Sequence, residues 1–271
     1  MTPTSVPIND VRAALIEQWG VLRTLAGQFD DEQWSRPSVL PGWSVGDIIA
    51  HIVGTESTLA GRAVPDIDVS DAAHVHNPIG ELNERWLRHL ASSSRTQLLD
   101  AYDEIVAVRT ATLNAMSQSD FDVEALTPAG PDTYGRFMRI RIFDCWIHDV
   151  DLRDSVRLGP PTQQAPATWA IAEVFASLPF VIGKRAGAAP GTKVRIDVTG
   201  AASASAYVEV AQRARLVPDF GSATPDLTLI VDAVELARLV GGRPTANPAA
   251  VDVVGDADLA ARITRSLNYV I

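Results

Sequence analysis

The sequence predicts an α+β protein of two domains, an N-terminal helix bundle with an extra helix over residues 1–185 and a small α+β domain over residues 192–271. Three observations lead there. Apolar residues recur at helical spacing through most of the first two thirds of the chain. Beyond residue 192 the apolar period shortens to nearly two, the signature of half-buried strands. Between these regions lies Arg185-Ala186-Gly187-Ala188-Ala189-Pro190-Gly191, small, flexible and proline-containing as linkers are. A chain of 271 residues that is 46% apolar has material for two cores.

The first helix follows from Val11, Leu15, Trp19 and Leu22 at helical spacing, with Asn9 or Asp10 as its expected N-cap. A turn at Pro41-Gly42-Trp43 precedes the second, where Ser44 and Asp47 form a capping-box pattern with Asp in place of the usual Glu. That helix carries His51. Helical runs over Ile79 to Ala91 and Arg95 to Met116 follow, then a loop at Thr127-Pro128-Ala129-Gly130-Pro131, then a helix beginning near Asp132. No convincing strand separates these helices, which favours a bundle. The run Ala167 to Lys184 is expected to pack on it as a fifth helix. In the second domain Lys193 to Val198, Tyr207 to Ala211, Asp226 to Val231 and Val251 to Val254 read as strands, and Ala233 to Val240 and Asp256 to Leu267 as helices.

A net charge of −10 without a dense Lys/Arg run argues against nucleic acid and against an anionic membrane surface as partners. The apolar run around Ala170 to Ile182 is short and carries Glu173, so no membrane span is expected. Met1 to Asp10 lacks the basic and apolar regions of a signal peptide. The lone Cys145 permits no intramolecular disulfide, which suits a reducing, cytoplasmic location. A small-molecule partner is the remaining expectation.

Chemistry concentrates between Tyr134 and Ser155. Phe137, Arg141, Asp144, His148 and Asp151 share one narrow stripe of that helix, flanked by Ile140, Phe143, Ile147 and Val150 on one side and by Cys145 and Leu152 on the other. Arg139, Asp149 and Arg153 fall nearly opposite and are expected to face solvent. The charged stripe therefore points inward, where its groups must pair, bind a cation or line a wet cavity. Asp144 and His148 present an oxygen and an imidazole to one point, and His51, beside Ile48 and Ile52 on another helix, is the best third ligand. Two histidines and a carboxylate with an open position suit a catalytic divalent metal such as zinc. The same D-x-x-x-H pair serves equally as a core salt bridge, and spacing alone does not decide.

Asp151 is read either as the acceptor that orients His148 or as an ion-pair partner of Arg141 or another base. Arg141 beside the metal, and Arg85 and Arg88 on the helix over Ile79 to Ala91, are candidates to receive a carboxylate or a polar group of a small ligand. Arg213, Arg215 and Arg243 are further cations of that kind. Cys145 is read as packing, Trp43 as a pocket wall or a staple at the start of its helix, His89 as solvated, and His74-Val75-His76 as an exposed loop pair. No Gly-rich phosphate loop, G-x-S-x-G or C-x-x-C occurs.

The run Leu40-Pro41-Gly42-Trp43-Ser44-Val45-Gly46-Asp47-Ile48-Ile49-Ala50-His51 resembles the signature of the mycothiol-dependent maleylpyruvate isomerase family. Arg141 to Arg153 is similar to that family's second metal-binding helix, and Asp232 to Leu267 to part of its C-terminal domain. The resemblance implies a DinB-like four-helix bundle with a divalent metal, zinc among the candidates, on His51, Asp144 and His148. It also implies mycothiol as cosubstrate and a small electrophile such as maleylpyruvate as substrate. In such an enzyme a metal-activated thiol adds to a conjugated cis double bond, permits rotation and leaves, or transfers and stays. One departure stands out: Asp144 occupies a position where the family generally has Glu.

Overall fold

The computed structural model describes residues 3–73 and 75–270; His74 of the loop pair lies outside them. The chain divides into two compact units, Met1–Gly159 and Pro160–Ile271.

In the first unit α1 (Ile8–Gly27), α2 (Asp31–Ser35), α3 (Val45–Leu59), α4 (Pro78–Leu90), α5 (Arg95–Ala115) and α6 (Gln118–Phe121) precede a β1–β2 hairpin (Glu124–Thr127, Gly130–Thr133) and α7 (Tyr134–Val156). The long helices pack as a bundle, α1 against α5 and α7, and α3 against α5 and α7, with α4 laid on α3. Leu15, Trp19, Leu22, Ile48, Ile52, Ile105, Leu113, Ile142 and Trp146 form its core. Most starts are set by side-chain caps: Ser44 and Asp47 close the box on α3, Ser94 and Gln97 that on α5, and Thr133 accepts from the Arg136 amide at α7. At α1 the cap differs from expectation. Pro7 occupies the N-cap without a side-chain bond, and Gln118 instead accepts from the Ile8 amide at 3.0 Å, so Asn9 and Asp10 fall in the first turn.

The expected loop at 127–131 is the tip of an antiparallel hairpin, its turn permitted by a positive φ of 96° at Gly130. Its strands are four residues each and hold Pro131, too short and polar to show an alternating pattern.

The second unit contains β3 (Lys193–Thr199), β4 (Ala204–Val210), β5 (Ala214–Val217), β6 (Leu227–Asp232), α9 (Ala233–Val240), β7 (Asp252–Gly255) and α10 (Ala257–Ser266). The strands form one sheet in the order β5-β4-β3-β6-β7, with β3 and β6 parallel and the other neighbours antiparallel. Asp232 ends β6 and caps α9, and Asp256, just past β7, caps α10. The helix α8 (Gln164–Pro179), continued by a π-helical stretch Phe180–Arg185, belongs here. Within this unit it packs on α9, β4 and β5. Periodicity reports that a helix has an apolar face, not which core receives it. By length and composition Gln164–Arg185 could cross a membrane, but half of its apolar window is buried inside the fold.

Candidate metal centre

Two local devices aim the three predicted ligands. Trp43 donates its amide to Leu40 at 3.1 Å across Pro41-Gly42, and Gly42 with φ of 84° supplies the left-handed residue that this turn needs. The Ser44–Asp47 box then starts α3, so that His51 lies nearly two turns inside it with its ring buried. On α7 the i, i+4 spacing stacks Asp144 and His148 on one face.

The ligand atoms of His51, Asp144 and His148 all lie within 4.8 Å of one another. His51 Nε2 is 3.3 Å from Asp144 Oδ2, and His148 Nε2 is 3.7 Å from Asp144 Oδ1. Ligand atoms about 2 Å from a tetrahedral ion stand roughly 3.3 Å apart, so these separations are already of the size that a small divalent cation requires. The donor types fit as well. His148 Nδ1 is hydrogen-bonded to Asp151 Oδ2 at 2.9 Å, which leaves Nε2 to face the cluster, while His51 Nδ1 is buried without a partner.

Electrostatics keep the carboxylate ionised. Burial alone would raise the Asp144 pKa, but Arg141, His51 and His148 hold it well below the usual carboxylate range. Burial lowers the His51 pKa against the opposing pull of Asp144, which favours the neutral, ligating imidazole. Burial likewise opposes the charge on Arg141, yet Asp144 and Glu56 more than offset it and raise its pKa. Asp144 is the most accessible of the three ligands, its side chain 29% exposed, so the cluster opens to solvent on that side.

Trp43 walls the site rather than merely stapling its helix. Its ring lies 5.4 Å from that of His51 and stacks at 6.3 Å over that of His148. Of the two roles weighed for Asp151, the geometry gives the one toward His148. Arg141 is engaged elsewhere, donating to Asp144 and to Glu56 Oε1 at 2.9 Å. It is buried, with its fork occupied by protein partners. Arg85 and Arg88 sit on α4, where Arg85 donates to Glu81 at 2.7 Å and Arg88 to Glu84 and Asp71, each at 2.7 Å. They tie α4 to itself and to the loop before it. Arg215 pairs in the same way with Glu209 at 3.0 Å.

The supposed solvent face of α7 is the main correction. Arg139 and Asp149 are buried, because α1 covers that side. Asp149 accepts from Gln18 at 3.3 Å and from Arg153 at 2.6 Å, and burial raises its pKa. Cys145 is packing, as expected, with its thiol pKa pushed up by burial. One residue of the site was missed entirely. Glu56 is the acid that joins Arg141 to Arg109, and its sequence signal is a lone carboxylate in the second half of α3.

The family model described as the mycothiol maleylpyruvate isomerase N-terminal domain matches residues 15–153. Among solved structures, that of the mycothiol-dependent maleylpyruvate isomerase superposes with a TM-score of 0.60 at 15% identity, covering 93% of this chain and 95% of the other. A histidine-to-alanine mutant of that enzyme gives 0.58 at 14% identity with the same coverage. At such identity these two likenesses speak for the fold. Comparison with curated proteins gave no match. Because the family model spans just over half of the sequence and takes in all three clustered ligands, the chain belongs to the mycothiol-dependent maleylpyruvate isomerase family.

Proposed function

We propose that this protein is a metal-dependent enzyme that uses mycothiol for cis–trans isomerisation of, or S-transfer to, a small electrophile such as maleylpyruvate. His51, Asp144 and His148 would hold the cation, and zinc suits two imidazoles and one carboxylate. The observation that carries the reading is the convergence of these three side chains from two helices within 4.8 Å. A bound divalent cation favours the thiolate form of a coordinated thiol, which is the nucleophilic form.

The chain's own residues prepare that site. Asp151 fixes the tautomer of His148, so that Nε2 offers its lone pair. Arg141 keeps Asp144 ionised and oriented. Trp43 closes one side against water, and the partly exposed Asp144 edge leaves an approach for ligands. A cytoplasmic location goes with this reading, since a thiol cosubstrate must stay reduced.

The test is to incubate metal-loaded protein with mycothiol and a panel of electrophiles, following adducts and cis-to-trans conversion. The reading expects turnover only when both thiol and metal are present. Turnover undiminished without thiol would identify water as the nucleophile and a hydrolase instead. A purified chain that neither retains a divalent ion nor loses stability with chelator would be a non-catalytic binding or sensor protein.

A further inference from the structure

Below the ligand cluster runs a line of four acidic and basic side chains drawn from three helices: Arg109 on α5, Glu56 on α3, and Arg141 and Asp144 on α7. Glu56 Oε2 accepts from Arg109 Nε at 2.9 Å, and its Oε1 accepts from Arg141 Nε at 2.9 Å. Arg109 turns its two terminal nitrogens to the Tyr134 hydroxyl at 3.1 and 3.2 Å. Arg141 Nη1 donates to Asp144 Oδ2, and Nη2 lies 3.5 Å from the Cys145 sulfur. Glu56 and Arg109 are essentially inaccessible to solvent.

Stability is a poor explanation for this line. Taking ions out of water offsets most of their attraction, and apolar packing of equal volume is often as stable or more so. What the line does supply is geometry. His51 comes from α3, Asp144 and His148 come from α7, and the Glu56–Arg141 bridge ties those same two helices together beside the ligands. Glu56 also fixes one arm of the guanidinium whose other arm holds Asp144. Removing that anchor frees Arg141 to follow Asp144 toward the open side, so the carboxylate loses its defined orientation.

We infer that Glu56 is a positioning residue for the metal centre, acting through Arg141 to present the Asp144 carboxylate to the cation. The inference rests on the metal-centre reading above and adds to it a residue that touches neither cation nor substrate.

The test uses the full chain stripped with chelator, with Co²⁺ as the probe. Affinity is read by competition with a chromophoric chelator, coordination by the visible absorption of the bound ion, and folding by circular dichroism and melting. Wild type should bind Co²⁺ stoichiometrically. Glu56→Gln should bind about 10- to 100-fold more weakly with an altered spectrum, as loss of a group that orients a metal ligand does. Arg141→Lys keeps the charge but cannot span Glu56 and Asp144 together, so it should show the same loss. Should Glu56→Gln fail to fold, the double variant Glu56→Gln/Arg109→Met keeps the net charge of the line and carries the test. Wild-type affinity and spectrum in the folded double variant, or in Arg141→Lys, would overturn the inference. Absence of Co²⁺ binding by wild type would bring down the metal-centre reading first, and this inference with it.

Discussion

Replacing Asp151 with Asn probes the contribution of its hydrogen bond to His148 to metal affinity. The Asp151 carboxylate is wholly buried and hydrogen-bonded to His148 Nδ1 at 2.9 Å, while Ser155 donates to its backbone carbonyl at 2.6 Å. Asn fills nearly the same volume and leaves that backbone bond alone, so what changes at His148 is the charge of its acceptor. Hydrogen bonds to a charged group contribute about 1.5–3 kcal/mol. Some of this survives through the Asn carbonyl, and the carboxylate also strengthens His148 as a donor to the cation. The balance is an expected loss of about 1.4–2.7 kcal/mol, equivalent to roughly 10- to 100-fold in metal dissociation constant. Competition with a chromophoric chelator measures it, and the melting temperature of the metal-free variant serves as control. A folded Asp151→Asn protein with wild-type affinity would show that Asp151 does not prepare His148, and the argument from tautomer would fall.

Other expectations follow from the same coordinates. His51→Ala or His148→Ala should abolish metal retention, whereas Cys145→Ser should leave it intact; metal analysis after gel filtration decides, and stoichiometric metal in either histidine variant refutes the ligand set. Burial would raise the Asp132 pKa, but bonds from Thr4, Arg136 and Thr133 hold it down at about 2. Because that folded value lies below the unfolded one, the gain is full above about pH 4 and disappears as pH falls through 2. Asp132→Asn should therefore lose about 1–2 kcal/mol at neutral pH, after allowance for solvent screening, and converge with wild type in acid. Denaturant melts at pH 7 and pH 3 check it, and an equal gap at both would refute it. A Cβ at Gly54 would stand 2.5 Å from Trp86 Cβ, so Gly54→Ala should lower stability by about 1–3 kcal/mol despite its better helix propensity. A raised melting temperature would show that α4 yields freely.

Local rules made much of the architecture legible. The Ser44–Asp47 box and the alternation in 193–198 each declare an element through neighbours within a few residues. Helical spacing aligns Asp144 with His148 but leaves a core salt bridge equally open, and it is the family resemblance that singles out the set with His51. What escaped depends on distance along the chain. Asp149 looks solvent-facing until Gln18, 131 residues away, is brought over it. Glu56 meets partners 53 and 85 residues away, so no short window shows its role. The strand β5 (Ala214–Val217) is a four-residue edge whose pattern is too brief to distinguish from a turn.

Cys145 lies one residue past Asp144 with no solvent contact and a thiol pKa raised by its surroundings. The polypeptide's one sulfhydryl is thereby withdrawn from circulation. Thiol-directed alkylating agents offered to the native protein find no cysteine competing with an added small thiol, so self-modification does not drain the reagent during a screen. Labelling at this position becomes instead a clock for unfolding of the bundle.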